Sequence, residues 1–193
     1  MGHFLNRANR SINRRAVDRL VLAGDESVLE IGFGGGYALA QILASTDGFV
    51  VGVEVSEAML AQARHRFRRE LGSGRMELKR GTASEIPYAD ERFDRVLAAQ
   101  TIYFWPDLAS GLREIHRVLK PGGRVVLATE GREAMEKRAV ARHGFRIFGE
   151  EELQVLLEEA EFSAVDVERD TSTARRPAPH VFTIGRKSQP RAR

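Results

Sequence analysis

The chain has 193 residues and no cysteine. That excludes disulfides, thiolate metal sites and a cysteine nucleophile. It fits a reducing compartment, and a cytoplasmic location is expected. No apolar run approaches the roughly 20 residues that cross a bilayer, so membrane insertion is not expected. The start, MGHFLNRANRSINRR, lacks the apolar middle of a secretory signal. A large excess of one charge is also missing: 30 basic residues stand against 27 acidic ones. The basic residues are mostly arginine, densest at Arg64–Arg69 and in the tail. No arginine stripe is interleaved with aromatics, as a single-strand groove would require, so nucleic acid is not the expected partner. Neither an internal repeat nor a linker divides the sequence. The length suits one domain of about 100–200 residues, and 42% apolar residues can supply its core.

What is present is an alternation of strands and helices. Leu5, Ala8, Ile12, Ala16 and Leu20 keep a helical period over 5–22. SVLEI (27–31) reads as a strand, and a helix follows through Ala38, Leu39, Ile42 and Leu43. FVVGVEV (49–55) is a second strand. Ser56 then suits the N-cap of a helix with Met59, Ala63 and Phe67 on one face. RMELKR (75–80) and FDRVLAAQ (93–100) are further strands. A helix with Leu108, Leu112, Ile115 and Leu119 on one face is stopped by KPGG at 120–123. RVVLAT (124–129) is the fifth strand. Helices are expected over 132–142 and 148–162, the second with three glutamates in its first turn, where the helix dipole favours them. AVDVER (164–169) and HVFTIGR (180–186) close the set and are expected to pair antiparallel at an edge. The pattern predicts an α/β sheet, mostly parallel, with helices on both faces. Residues 1–187 are expected to form one domain, with 1–24 as a helix or lid. Residues 188–193 are expected to be a disordered tail.

One stretch resists a purely structural reading. VLEIGFGGGYAL (28–39) places Glu30 in a buried strand and four glycines within five positions. A buried carboxylate is costly unless paired, and glycines weaken any regular element. A ligand at the carboxyl end of the strand would offset both costs. A dinucleotide site wants G-x-G-x-x-G or G-x-G-x-x-A. Here Tyr37 stands in the third place, or Leu39 if the frame is shifted. A phosphate P-loop fails as well, because no Lys-Ser/Thr pair follows the glycines.

VLEIGFGGG resembles the first motif of the class I S-adenosylmethionine-dependent methyltransferases: an apolar strand, an acid, then G-x-G-x-G at Gly32, Gly34 and Gly36. VVGVEVS, GTASEIPYADERFD, AAQTIYFWPD, LREIHRVLKPGGRVVLAT and FGEEELQVLLEEAEF resemble the later motifs in order, over roughly residues 25–170. The whole is most similar to the small-molecule group that includes quinone-biosynthesis C-methyltransferases. The resemblance implies a Rossmann-like, doubly wound, seven-stranded sheet with an antiparallel last strand. It implies S-adenosylmethionine as cofactor and no metal. Glu30 would face the ammonium end, with Gly32, Phe33, Gly34 and Gly36 as the loop. Glu54 would take both ribose hydroxyls, and Val55 and Met59 would sandwich the adenine. The family often has aspartate after the glycine of the adenine segment; here Thr82 follows Gly81, so its hydroxyl or the backbone of Thr82 and Ala83 would serve instead. Gln100 and Thr101 would help hold the cofactor.

Methyl transfer from a sulfonium needs alignment more than a catalytic triad, and the sequence offers none. Tyr103 is the candidate for orienting an acceptor, and Tyr103, Phe104 and Trp105 are equally candidates for walls of the pocket. His116, His143 and His180 read as structural or exposed. Asn6, Asn9, Asn13 and the nearby arginines either meet the acceptor or form a solvated face. The run QTIYFW replaces the Asn/Asp-Pro-Pro-aromatic run of amino methyltransferases, and cytosine-C5 chemistry lacks its cysteine. A small-molecule acceptor is therefore expected. An RNA or protein methyltransferase, a non-catalytic cofactor-binding module and a nicotinamide-dependent reductase stay open as alternatives.

Overall fold

The computed structural model describes residues 10–136, 146–170 and 180–189. The helix expected over 5–22 is α1, Arg10–Arg19. Then come β1 (Val28–Ile31), α2 (Tyr37–Ser45), β2 (Val50–Glu54), α3 (Glu57–Arg66), α4 (Arg68–Gly72), β3 (Met76–Arg80) and β4 (Phe93–Ala99). A 3-10 turn at Ile102–Phe104 leads into α5 (Leu108–Val118) and β5 (Leu119–Glu130). The remaining elements are α6 (Arg132–Glu136), α7 (Glu150–Glu159), β6 (Phe162–Asp170) and β7 (His180–Lys187). Positions 5–9, most of the helix expected over 132–142, and His143 lie outside the described residues.

The seven strands form one sheet in the order β3-β2-β1-β4-β5-β7-β6. The first five strands run parallel, and β7 is antiparallel to both β5 and β6. The last two strands pair as expected, but β7 lies inside the sheet and β6 takes the edge. Their residues explain this: Val181, Phe182, Thr183 and Ile184 are buried on both faces, whereas β6 leaves Ser163, Ala164, Asp166 and Arg169 exposed. The order reverses between β1 and β4, and crevices for ligands open at that switch point beyond the strands' carboxyl ends.

Each face of the sheet buries its own core. Ile12, Leu20, Leu39, Ile42, Leu60 and Phe67 bring α1, α2 and α3 onto one face. Leu112, Ile115, Val118, Leu153 and Leu157 bring α5 and α7 onto the other. The α3 face is carried by Leu60, Ala63 and Phe67, with Met59 at its margin.

Two boundaries differ from the sequence reading. Leu119 was expected on the helix that precedes KPGG; it instead opens β5 and pairs with Phe93. The register then jumps so that Arg124 meets Arg95, which leaves Lys120–Gly123 as an irregularity inside the strand. The helix-breaking sequence acts one residue early because Leu119 gains a fully buried place in the sheet. At the other helix, α7 ends at Glu159 because Glu161 adopts a left-handed backbone (φ 66°) and Phe162 starts β6. The tail is also ordered further than expected. Ser188 Oγ donates to Ser163 Oγ at 3.0 Å, and Gln189 lies against Gly122.

The segment after β3 matters for the site and has little regular structure. Glu114 of α5 accepts from the backbone N–H of Ile86 at 3.0 Å. Arg117 donates to the carbonyls of Tyr88 (2.8 Å) and Ile86 (3.1 Å), to Asp90 (2.7 Å) and to Glu114 (2.7 and 2.8 Å). The Arg117 hydrogen bonds hold the Glu114 carboxyl below its usual range. These charge-assisted bonds fasten the 86–90 loop to α5, and the loop in turn fixes the wall formed by residues 81–84.

Candidate functional site

A cleft of about 470 Å³ opens at the switch point. Its floor is Ile31 and Gly32 from the end of β1 and Val53 and Glu54 from the end of β2. One wall is Val55 with Gly81, Thr82, Ala83 and Ser84. The other is Gln100, Thr101, Phe104, Trp105 and Pro106, after β4. Trp105 owes its seat to Gly111 of α5, where a Cβ would come within 2.8 Å of the indole.

The glycine loop is built by local stereochemistry. Gly32, Gly34 and Gly36 all have positive φ (69°, 50° and 69°), which L side chains rarely adopt. Two of the three are also packed. A Cβ on Gly32 would lie 2.1 Å from Thr101 Oγ1, and one on Gly36 would lie 2.7 Å from Phe67. Gly34 differs: a Cβ there would meet nothing within 4 Å. Its left-handed turn and the open space above it make a cradle that a side chain would occupy. Gly36 also begins α2, immediately before Tyr37.

Glu54 ties this loop to β2. It is only 8% exposed. Its Oε2 accepts from Gly34 N at 3.0 Å, and its Oε1 accepts from Val55 N and Ser56 N, each at 3.0 Å. A carboxylate has about four acceptor positions, so one remains, on Oε2. Glu30 is 3% exposed, and its Oε2 has no hydrogen-bond partner. Burial, reinforced by the nearby Glu54 charge, pushes its carboxyl up to about 8, against a smaller opposing effect from the Leu39 backbone. A buried, partnerless carboxyl oxygen beside a second carboxylate is a poor structural element and a good counter-ion for a cation. The orphaned Glu30 oxygen and the Gly34 cradle fit the charged amino-acid end and the body of S-adenosylmethionine.

The structure sorts the expected site residues. Gly32, Glu54, Val55, Thr82, Ala83 and Gln100 meet in the cleft lining. Gly34 borders Glu54, and Glu30 lies buried next to it in the pair just described. Phe33 is brought elsewhere: its ring packs in the core against Gly52, so only its backbone belongs to the loop. Met59 is half-buried on α3 and does not line the cleft. Tyr103 is also absent from the lining; it is buried, and its hydroxyl donates to Gln100 Oε1. Of the three aromatics, Phe104 and Trp105 are the walls. The described part of the expected lid, α1, contributes no lining residue. Asn13 sits on α1, and the groove that α1 forms with Tyr37 contains Arg10, Arg14 and Arg15. Ser84 and Pro106 line the cleft and were not singled out from the sequence. The only available signal was their place inside the quoted motif segments.

A Rossmann-like sheet with a glycine cradle after β1 and an acid at the end of β2 defines the class: this is an S-adenosylmethionine-dependent methyltransferase fold. Residues 29–127, just over half of the chain, match the model of the methyltransferase domain family, and the chain belongs to that family. The chain is 31% identical to "Uncharacterized methyltransferase YdaC" of Bacillus subtilis over 134 residues, 69% of this chain and 72% of that one. It is 34% identical over 131 residues to the ubiquinone/menaquinone biosynthesis C-methyltransferase UbiE of Geotalea daltonii, covering 64% of this chain and 56% of that one. Among solved structures, a possible histamine N-methyltransferase of Thermotoga maritima superposes with a TM-score of 0.74 at 26% identity, over 97% of both chains. Several relatives are about twice as long as the stretch they share with this chain.

Three outcomes are expected. Glu54→Ala should weaken S-adenosylmethionine binding by about 1.5–3 kcal/mol, the range for hydrogen bonds to charged groups; calorimetric titration with an unchanged affinity would refute its role. Gly34→Val should lose cofactor binding, its side chain filling the open space at some cost in backbone strain at this positive φ; circular dichroism and the same titration separate the two effects. For Glu30 the sign follows from its raised pKa. The unfolded chain ionises near the ordinary 4.5 and the folded one near 8, so the contribution to stability is full at acid pH and falls as pH rises through that window. Glu30→Gln should remove this fall, making the cofactor-free variant melt above wild type at pH 8.5, with the gap closing towards pH 4.5. A gap that does not change with pH would show that Glu30 is not buried as a neutral acid.

Proposed function

We propose that the protein transfers a methyl group from S-adenosylmethionine to a small-molecule acceptor by in-line displacement. The observation that carries this reading is the pair of buried carboxylates at the glycine loop, one on the cleft floor and one with an orphaned oxygen. Bound S-adenosylmethionine supplies a methyl group already activated by its sulfonium. The chain's own residues then have to align, enclose and keep water out. Glu30 would hold the ammonium end. Gly32 and Gly34 would let the backbone approach, and Glu54 would accept from a ribose hydroxyl at the position left on Oε2. Val55 and Ala83 would flank the adenine, with the hydroxyls of Thr82 and Ser84 and the backbone of 82–83 as its polar contacts.

A small acceptor is supported by the apolar mouth of the cleft. Phe104 and Val55 are 58% and 59% exposed there. An RNA acceptor is disfavoured because several arginines are engaged by the chain's own carboxylates. Arg19, Arg95, Arg117 and Arg169 all hold carboxylates. Among the described residues no helix is long and apolar enough to cross a membrane, and the lack of cysteine fits a reaction in the cytosol. The test is incubation with methyl-labelled cofactor and a metabolite extract, products being read by mass. Label in one or more small molecules is expected. Label confined to RNA or protein, or no transfer by protein that binds the cofactor, would contradict the proposal.

A further inference from the structure

Gln100 stands out on three independent counts. It is a non-glycine residue with a left-handed backbone (φ 57°), held there by its N–H donating to Ala128 O at 2.8 Å. Its amide Nε2 is buried and has no hydrogen-bond partner. Its Oε1 is already taken by the Tyr103 hydroxyl. Backbone strain and a buried unpartnered donor are each unfavourable. A residue carrying both at the carboxyl end of β4, in the lining of the cleft, is built for a ligand. With the Tyr103 hydroxyl donating to the oxygen, the nitrogen is the end of the amide left without a partner.

The surroundings narrow the ligand. Gln100 shares its wall with Phe104, Trp105 and Pro106, which favour a desolvated, mostly apolar guest. Among the described lining residues Glu54 is the only ionisable side chain, and its carboxylate is engaged by three backbone N–H groups. None of the described lining residues is thus free to take a proton from an amine or an alcohol, the one acceptor position left on Glu54 being assigned to the ribose. An ionised oxygen needs no such base. Its electron pair, directly or through a conjugated carbon, forms the new bond to the methyl carbon as the carbon–sulfur bond breaks and that pair stays on sulfur. The acceptor's negative charge and the sulfonium's positive charge disappear together. Attack at oxygen leaves no proton to remove.

We propose that Gln100, fixed by Tyr103, reads the methyl acceptor rather than the cofactor, and that this acceptor carries an ionised oxygen: a carboxylate, phenolate or enolate. This rests on the methyl-transfer reading above. Gln100 Nε2 donates to that oxygen, and Tyr103 is a positioning residue that acts through the amide.

Two measurements test it, and cofactor titration stands apart from both. With S-adenosylhomocysteine bound, a benzoate, a nitrophenolate and a cyclic 1,3-diketone are titrated into protein labelled with ¹⁵N at glutamine side chains. At least one should shift the Gln100 amide, whereas benzylamine and benzyl alcohol should not. Gln100→Glu puts a carboxylate where the donor was. It should weaken binding of the responsive probe about 10- to 100-fold while leaving the cofactor dissociation constant within about threefold. Tyr103→Phe should raise the acceptor KM by a smaller factor and leave the cofactor constant unchanged. In methyl-transfer assays the rate on a phenol should follow its ionised fraction as pH rises. Preferential methylation of benzylamine or benzyl alcohol would overturn the proposal and leave the methyltransferase reading intact. So would a Gln100→Glu variant that binds the oxyanion probe as wild type does. A Gln100→Glu protein that loses cofactor instead would return Gln100 to the cofactor site. Wild-type protein with no affinity for S-adenosylmethionine would bring down both readings.

Discussion

The site depends on one carboxylate. Glu54 reaches back from the end of β2 to the N–H of Gly34 in the neighbouring loop, while its other oxygen gathers the N–H groups of Val55 and Ser56. These bonds do two things at once. They satisfy a buried charge with three donors, and they hold the glycine loop against the strand next to it. The parallel register of β1 and β2, with Ile31 opposite Val53, brings the two strand ends level so that the reach is possible. The open cradle at Gly34 and the floor of the cleft both follow from that contact.

The rest of the site is arranged around this fixed point by packing. Thr101 presses on Gly32, Phe67 on Gly36, and Trp105 on Gly111. In each case the glycine permits an approach that a methyl group would block. The 86–90 loop that follows the 81–84 wall is fastened from the far side by Glu114 and Arg117. Against this rigid frame, the groups left unsatisfied are informative. Glu30 Oε2 and Gln100 Nε2 are a buried acceptor and a buried donor. On the proposed reading they would face opposite partners: a cationic amino group for the first and an anionic oxygen for the second.

Much of this was legible in the sequence, and for definable reasons. The strand–helix alternation gave the sheet because buried parallel strands read as apolar runs. The acid–glycine pattern gave the loop because φ and close contact both demand glycine there. What the sequence did not disclose was which way side chains turn. Phe33 lies among glycines yet faces the core, Met59 sits one position from the buried Leu60, and Tyr103 turns inward while Phe104 faces the cleft mouth. A one-residue difference decides each case, and local pattern does not resolve it. The start of β5 at Leu119 was hidden similarly, because a helical period and a strand pairing both claimed that leucine. The left-handed Gln100 and the three backbone donors that Glu54 gathers leave no trace in residue type at all.

The central claim is that the loop held by Glu54 is the cofactor site. A crystal structure of the protein with S-adenosylhomocysteine measures this most directly. The account predicts the ribose against Glu54 Oε2, the amino-acid end over Gly32 and Gly34 towards Glu30, and the adenine between Val55 and Ala83. Density for the ligand in any other groove, with the Gly34 cradle empty, would contradict it.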